Sequence, residues 1–184
     1  MNDEALIEKK LSGSTAFKGR IVRIECDTVR LPDGAEAYRE VVRKNPGVCV
    51  VPLTGDGRVV IVRQYRYPYA EILPEVPAGK TEKNEDPADC AVRELSEETG
   101  YTAEKLIPLG IFYPSPGIMD EYLYMYAATG LKKGKTHPDE DEFVEASSLP
   151  LEELVDLIMK GEIRDGKTQA AVLRTYLMKQ RGEI

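Results

Sequence analysis

Three glutamates, Glu94, Glu97 and Glu98, stand at positions i, i+3 and i+4. On a helix that spacing turns the three side chains toward one stripe, beside the apolar stripe that faces a core. Like charges so placed oppose the helix unless solvent spreads them or a cation neutralises them. Hard oxygen ligands at this density suit Mg2+, with Mn2+ as the alternative, ions that bridge readily to phosphate oxygens. An acidic string alone is most often a solvated face, so the surrounding sequence must decide. The single histidine, His137, sits beside Pro138 in a polar stretch and leaves little room for serine–histidine or multi-histidine metal chemistry.

The elements that must position these carboxylates are readable from periodicity. Ala88, Ala91, Val92, Leu95 and Thr99 recur at helical spacing, with Asp86 as N-cap, Pro87 at the first turn and Gly100 as the stop. Ahead of this helix the chain reads as β. Val22, Ile24 and Cys26 alternate with polar residues, Leu31-Pro32-Asp33-Gly34 supplies a turn, and a hairpin partner follows from Tyr38 to Arg43. The apolar runs Val48 to Leu53 and Val59 to Val62 read as central strands buried on both faces. Strands near Ile107 to Tyr113 and Glu121 to Ala128, an acidic loop from Thr136 to Glu142 and another short strand come next. Two helices close the chain, from about Pro150 to Lys160 and from about Thr168. The pattern is α+β, with helices packed on a mixed sheet.

Composition bounds the function. The 184 residues suit one main core with a small appendage. With 32 acidic against 25 basic residues the formal charge is -7, which disfavours nucleic acid as a ligand. No apolar run approaches a membrane span, and the acidic start MNDEALIEKK does not read as an export signal, so a cytoplasmic, soluble protein is expected. Cys26, Cys49 and Cys90 are odd in number and widely spaced, as reduced core residues are.

The segment GKTEKNEDPADCAVRELSEETGY, from Gly79, resembles the Nudix box, Gx5Ex7REUxEExGU. Gly79, Glu85, Arg93, Glu94, Leu95, Glu97, Glu98 and Gly100 match its fixed positions, and Tyr101 departs mildly where an aliphatic is usual. The resemblance implies a Nudix-type mixed sheet sandwiched between helices, and site roles. Glu94, Glu97 and Glu98 look like metal ligands. The carbonyl of Ala78 is similar to the one that completes the metal shell, and Arg93 to the arginine that holds a box glutamate in place. Gly79 is expected to let the backbone bend tightly before the helix. A cation on phosphate oxygens would stabilise the charge of the transition state and activate water.

The flanks choose a branch. RQYRYP at 63–68, LPEVPAGK at 73–80 and YPSPG at 113–117 look like the ADP-ribose pyrophosphatases, in which a proline follows the box where Pro116 stands. The resemblance makes Arg66 the phosphate-facing arginine and places Glu75, Gly117 and Glu121 at substrate. It puts the catalytic base and a further metal ligand in the acidic run, where the register allows Glu140 or Glu142 for either role, with Glu142 favoured as base. The N-terminal region, 1–44, resembles the small antiparallel β element that exchanges across a homodimer, which would give Arg39 and Glu40 substrate contact in trans. Residues 45–184 form the hydrolase domain in this division. The chain has no tryptophan, so stacking on a base would need an aromatic such as Tyr38. The expected reaction is hydrolysis of ADP-ribose to AMP and ribose 5-phosphate. The alternatives are cleavage of another nucleotide sugar, such as ADP-glucose or GDP-mannose, or binding of ADP-ribose without cleavage.

Overall fold

The structure is a computed structural model and describes residues 3–134 and 143–184. These residues form two compact units. The first comprises the chain up to Asn45 together with Tyr113–Glu121. It holds an antiparallel meander of β1 (Lys9–Lys18), β2 (Arg23–Arg30) and β3 (Glu36–Arg43) in the order β1-β2-β3. Gly34, at φ 91°, supplies the left-handed residue of the turn between β2 and β3. The segment around Met119 is tied to the end of β3, where the Val42 amide donates to the Ile118 carbonyl at 2.8 Å and the Asp120 amide donates to the Val42 carbonyl at 3.1 Å. The expected strands near 22–27 and 38–43 are present, whereas β1 escaped notice. All ten of its residues are exposed, so it lacks the buried alternation that marks a strand in sequence.

The second unit carries β4 (Gly47–Pro52), β5 (Arg58–Arg66), β6 (Glu71–Glu75) and β7 (Ala78–Lys80), then the helix α1 (Pro87–Thr99). Beyond it lie β8 (Tyr101–Thr102), β9 (Lys105–Phe112), β10 (Leu123–Thr129), β11 (Lys132–Lys133) and β12 (Glu145–Pro150), followed by α2 (Leu151–Met159) and α3 (Gly166–Gln180). The main sheet runs β7-β4-β10-β9 and is mixed, because β10 pairs parallel to β4 and antiparallel to β9. A second sheet, β12-β5-β6, is antiparallel.

Every residue of β4 is buried, and its side chains divide by parity. Val48 and Val50 pack with Cys90, Ala91, Leu95 and Ala128, the core under α1. Cys49 and Val51 face the opposite way, into the core that Leu154, Ala171 and Val172 share from α2 and α3. A strand covered by helices on both faces has no polar side to show, which is why it reads as an unbroken apolar run. The expected α+β sandwich is therefore the observed one. Among the described residues, no helix is long and apolar enough to cross a membrane.

Candidate active site

Helix α1 begins and ends as its sequence dictates. The Asp86 carboxylate accepts from the Ala88 amide at 2.8 Å, Pro87 follows the cap, and Gly100 adopts the left-handed conformation with its amide donating to the Ser96 carbonyl at 2.8 Å. The buried face of the helix carries Cys90, Ala91 and Leu95, and also Glu94 and Glu98, which are only 8% and 4% exposed. Carboxylates at that depth need donors or cations around them. The Ala78 amide donates to Glu98 Oε2 at 3.2 Å, which joins β7 to the helix.

Arg93 supplies the cation. Its Nε and Nη2 hold the two oxygens of Glu85 at 2.9 and 3.0 Å, a bidentate pair, while Nη1 donates to Glu94 Oε1 and Glu97 Oε2, both at 2.9 Å. Nη2 also reaches the Lys80 carbonyl at 3.1 Å. The hydrogen bonds from Arg93 push the Glu85 carboxyl down to about 2, and the same pairing raises the arginine's own pKa. Arg93 thus organises three box glutamates and the end of β7.

Gly79 has a different role from the expected one. It lies within β7, pairs with Val48, and is not among the residues of positive φ, so no special backbone conformation selects it. A Cβ there would lie 1.9 Å from Glu94 Oε1. The glycine leaves open the space that the Glu94 carboxylate occupies and a side chain would fill.

A second charged cluster lies on β5, β6 and the start of α3. Glu75 is 1% exposed and accepts a bidentate pair from Arg66, Nε to Oε1 and Nη2 to Oε2, each at 2.6 Å. Lys167 donates to the same Oε2 and lies 3.0 Å from Asp165 Oδ2. Burial would raise the Glu75 pKa, but Arg66 and Lys167 outweigh it and hold the carboxylate ionised. Hydrogen bonding to Glu75 raises the Arg66 pKa, with smaller contributions from the charges of Asp165 and Glu98. Lys167 and Asp165 went unnoticed in the sequence; the only local signal is an Asp165-Gly166 pair opening a helix, which Asp165 caps by accepting from the Thr168 amide at 3.0 Å.

The remaining expected substrate residues lie in the first unit. Arg39 on β3 donates to Glu8 through Nε at 3.0 Å and Nη2 at 2.5 Å, and Glu40 beside it is exposed. Pro116 and Gly117 sit in a turn closed by the Met119 amide on the Ser115 carbonyl at 2.9 Å. Glu121 is buried and paired with Lys44. Glu140 and Glu142 lie outside the described residues.

The donor chemistry fits a hard divalent cation: Glu94, Glu97 and Glu98 offer only oxygen, two of them from buried positions, and Gly79 clears room for the Glu94 carboxylate. In this structure Arg93 draws Glu94 and Glu97 to itself, and among the described residues no three acidic, cysteine or histidine side chains are gathered round one point.

The family models agree with this arrangement. Residues 43–172 match the NUDIX domain, and residues 8–42 match the nucleoside diphosphate sugar hydrolase N-terminal domain. The chain is 43% identical over 167 residues to a methanol dehydrogenase activator of Bacillus methanolicus, covering 90% of each. It is 39% identical over 171 residues to an ADP-ribose pyrophosphatase of Bacillus subtilis (strain 168), covering 92% of each. A crystal structure of an ADP compounds hydrolase superposes with a TM-score of 0.86 at 21% identity, over 97% of this chain and 98% of that one, a likeness of fold. With its complete box running from β7 through α1, the chain belongs to the Nudix hydrolase family, in the branch that contains the ADP-ribose pyrophosphatases.

Proposed function

We propose that the chain hydrolyses the diphosphate bridge of ADP-ribose, water adding across one bridging P–O bond to give AMP and ribose 5-phosphate. One observation carries the reading. A complete set of box carboxylates and a nucleoside diphosphate sugar hydrolase N-terminal match stand on one chain that aligns over nine-tenths of its length with an ADP-ribose pyrophosphatase.

As a Nudix hydrolase the chain works with a divalent cation, and Mg2+ suits its all-oxygen donors, with Mn2+ as the alternative. The Ala78 carbonyl, Glu94, Glu97 and Glu98 would hold it. When bound, the cation draws charge from the phosphate oxygens and makes the attacking water more acidic. Arg93 keeps Glu94 and Glu97 aligned, and Arg66, anchored on Glu75 through Nε and Nη2, meets the diphosphate with its remaining N–H groups. Glu142, or alternatively Glu140, takes the proton of the attacking water.

Glu75 acts on substrate through Arg66, with Pro116, Gly117 and Glu121 forming part of the substrate surface. Arg39 and Glu40 reach the pocket of a partner copy. The N-terminal β region, 1–44, joins two chains in a homodimer, and 45–184 is the hydrolase domain. Support comes from the fully exposed β1, which carries Leu11 and Phe17 unburied, near exposed Leu6 and Ile7. The free thiols of Cys26, Cys49 and Cys90 fit a cytoplasmic setting.

The test is incubation of the purified chain with ADP-ribose, ADP-glucose and GDP-mannose, with Mg2+ or with EDTA, and chromatography of the products. Mg2+-dependent AMP and ribose 5-phosphate from ADP-ribose is expected. Preferential cleavage of another nucleotide sugar would replace the substrate, and tight binding without turnover would replace the enzyme by a sensor. The likeness to the methanol dehydrogenase activator supports a second reading, in which the chain raises the turnover of such a dehydrogenase. Adding it to a methanol dehydrogenase and following formaldehyde checks that reading.

A further inference from the structure

Arg66 and Lys167 share one carboxylate. Glu75 is 1% exposed and Lys167 11%, so neither charge is relieved by water. Lys167 is fixed from both sides, between Glu75 and Asp165. Asp165 is itself immobilised as the cap of α3, accepting from both the amide and the hydroxyl of Thr168, at 3.0 and 2.5 Å. The Thr168 hydroxyl oxygen accepts from the Val76 amide at 2.9 Å, so consecutive residues of α3 clamp consecutive residues at the end of β6. None of these α3 residues belongs to the box.

The electrostatic consequence concerns Arg66. A carboxylate held by a second, buried cation cannot swing away and take the guanidinium with it. With Lys167 drawing on Glu75 Oε2, part of the negative charge is already balanced. Nε and Nη2 of Arg66 are both turned to Glu75, which fixes the plane of the guanidinium. The guanidinium is thereby held in one orientation by a carboxylate that Lys167 fixes in turn, while Asp165 balances the lysine.

We propose that Lys167 is a positioning residue for diphosphate binding, acting through Glu75 to keep Arg66 oriented. This rests on the reading above that Arg66 faces a diphosphate. Lys167 does not touch the ligand.

The experiment is a double-substitution cycle read by calorimetric titration with inorganic pyrophosphate, at one fixed Mg2+ concentration. It uses the full chain, Lys167→Met, Glu75→Gln and the double variant, with thermal melts as the folding control. Lys167→Met should weaken pyrophosphate binding about fivefold, and Lys167→Arg should stay within about twofold of the native chain. In the Glu75→Gln background the same methionine should change binding by less than about twofold, because the group through which Lys167 acts is no longer charged. An unchanged affinity in Lys167→Met overturns the proposal, as does failure of the native chain to bind pyrophosphate. Equal weakening in both backgrounds also overturns it, since Lys167 would then meet the ligand directly. If Lys167→Met does not fold, Lys167→Gln takes its place in the cycle with the same expected and overturning outcomes. A native chain that shows the cycle but leaves ADP-ribose intact keeps this proposal and removes the substrate assignment; the converse result separates them the other way.

Discussion

The Glu94 carboxylate rests against the α-carbon of Gly79, so close that a Cβ on Gly79 would fall 1.9 Å from its Oε1 and 2.2 Å from its Oε2. The glycine that opens the box and the first glutamate of its acidic triplet are therefore complementary surfaces. Gly79→Ala meets no backbone obstacle, since Gly79 does not have a positive φ. What must move is the end of a flexible side chain, and that end is the proposed metal ligand. The variant should fold with a melting temperature close to the native one and lose about tenfold or more in kcat. Native turnover in Gly79→Ala would show that Glu94 need not stay where it is.

Glu98 lies 4% exposed at the junction of α1 and β7, accepting from the Ala78 amide. Glu98→Gln keeps the shape and an acceptor for that amide while removing the charge. Turnover should fall about a hundredfold or more with the fold intact by circular dichroism. The apparent affinity for Mg2+, read by isothermal titration, should weaken as well. A variant that titrates Mg2+ as the native chain does would take Glu98 out of the proposed metal shell.

Arg66 projects from the end of β5 beside the buried Glu75. Arg66→Ala removes the fork and leaves Glu75 to Lys167. KM for ADP-ribose should rise about tenfold or more, at some cost in stability because a buried carboxylate loses one of two cations. An unaltered KM would mean that Arg66 is structural.

Stability should carry the titration of Glu85. The bidentate hold of Arg93 places this carboxyl at about 2, below its ordinary 4.5. A pKa lowered by folding means that the unfolded chain binds more protons between those values, so stability rises with pH there. The contribution is complete above about 4.5 and is lost as pH falls toward about 2. Melts of the native chain and of Glu85→Gln across this range should show a gap that closes with acidification. A gap of constant size throughout would place the origin of the difference elsewhere.

The proposed base lies in the acidic run at 139–142. Glu142→Gln and Glu140→Gln should differ, one losing about 10²-fold or more in kcat and the other much less. Near-native turnover in both variants would remove the base from this run.

Some of this was legible from residue order alone because it is local. The cap, first-turn proline and glycine stop of α1 act within a few residues of one another, and helical spacing is enough to set Glu94, Glu97 and Glu98 on neighbouring turns. The unbroken apolar run of β4 announced a strand covered on both faces, because burial on two sides removes the need for alternation. With the box motif, these fixed the family, the helix and the chemical type of the ligands.

Tertiary structure decided what depends on contact between distant segments. Glu75 and Lys167 are 92 residues apart, and no periodicity in either stretch says that one will neutralise the other. The Arg66 cluster exists because the β5–β6 pairing and the capped start of α3 bring three charged side chains round the buried Glu75, which must find a partner. Gly79 matched its motif position in the sequence, but the reason for it is a side chain 15 residues further on, folded back from α1 onto β7. Local order sets which groups are present and on which face of an element; only packing determines which charges meet, because burial, and the loss of water that makes pairing obligatory, comes from the whole fold.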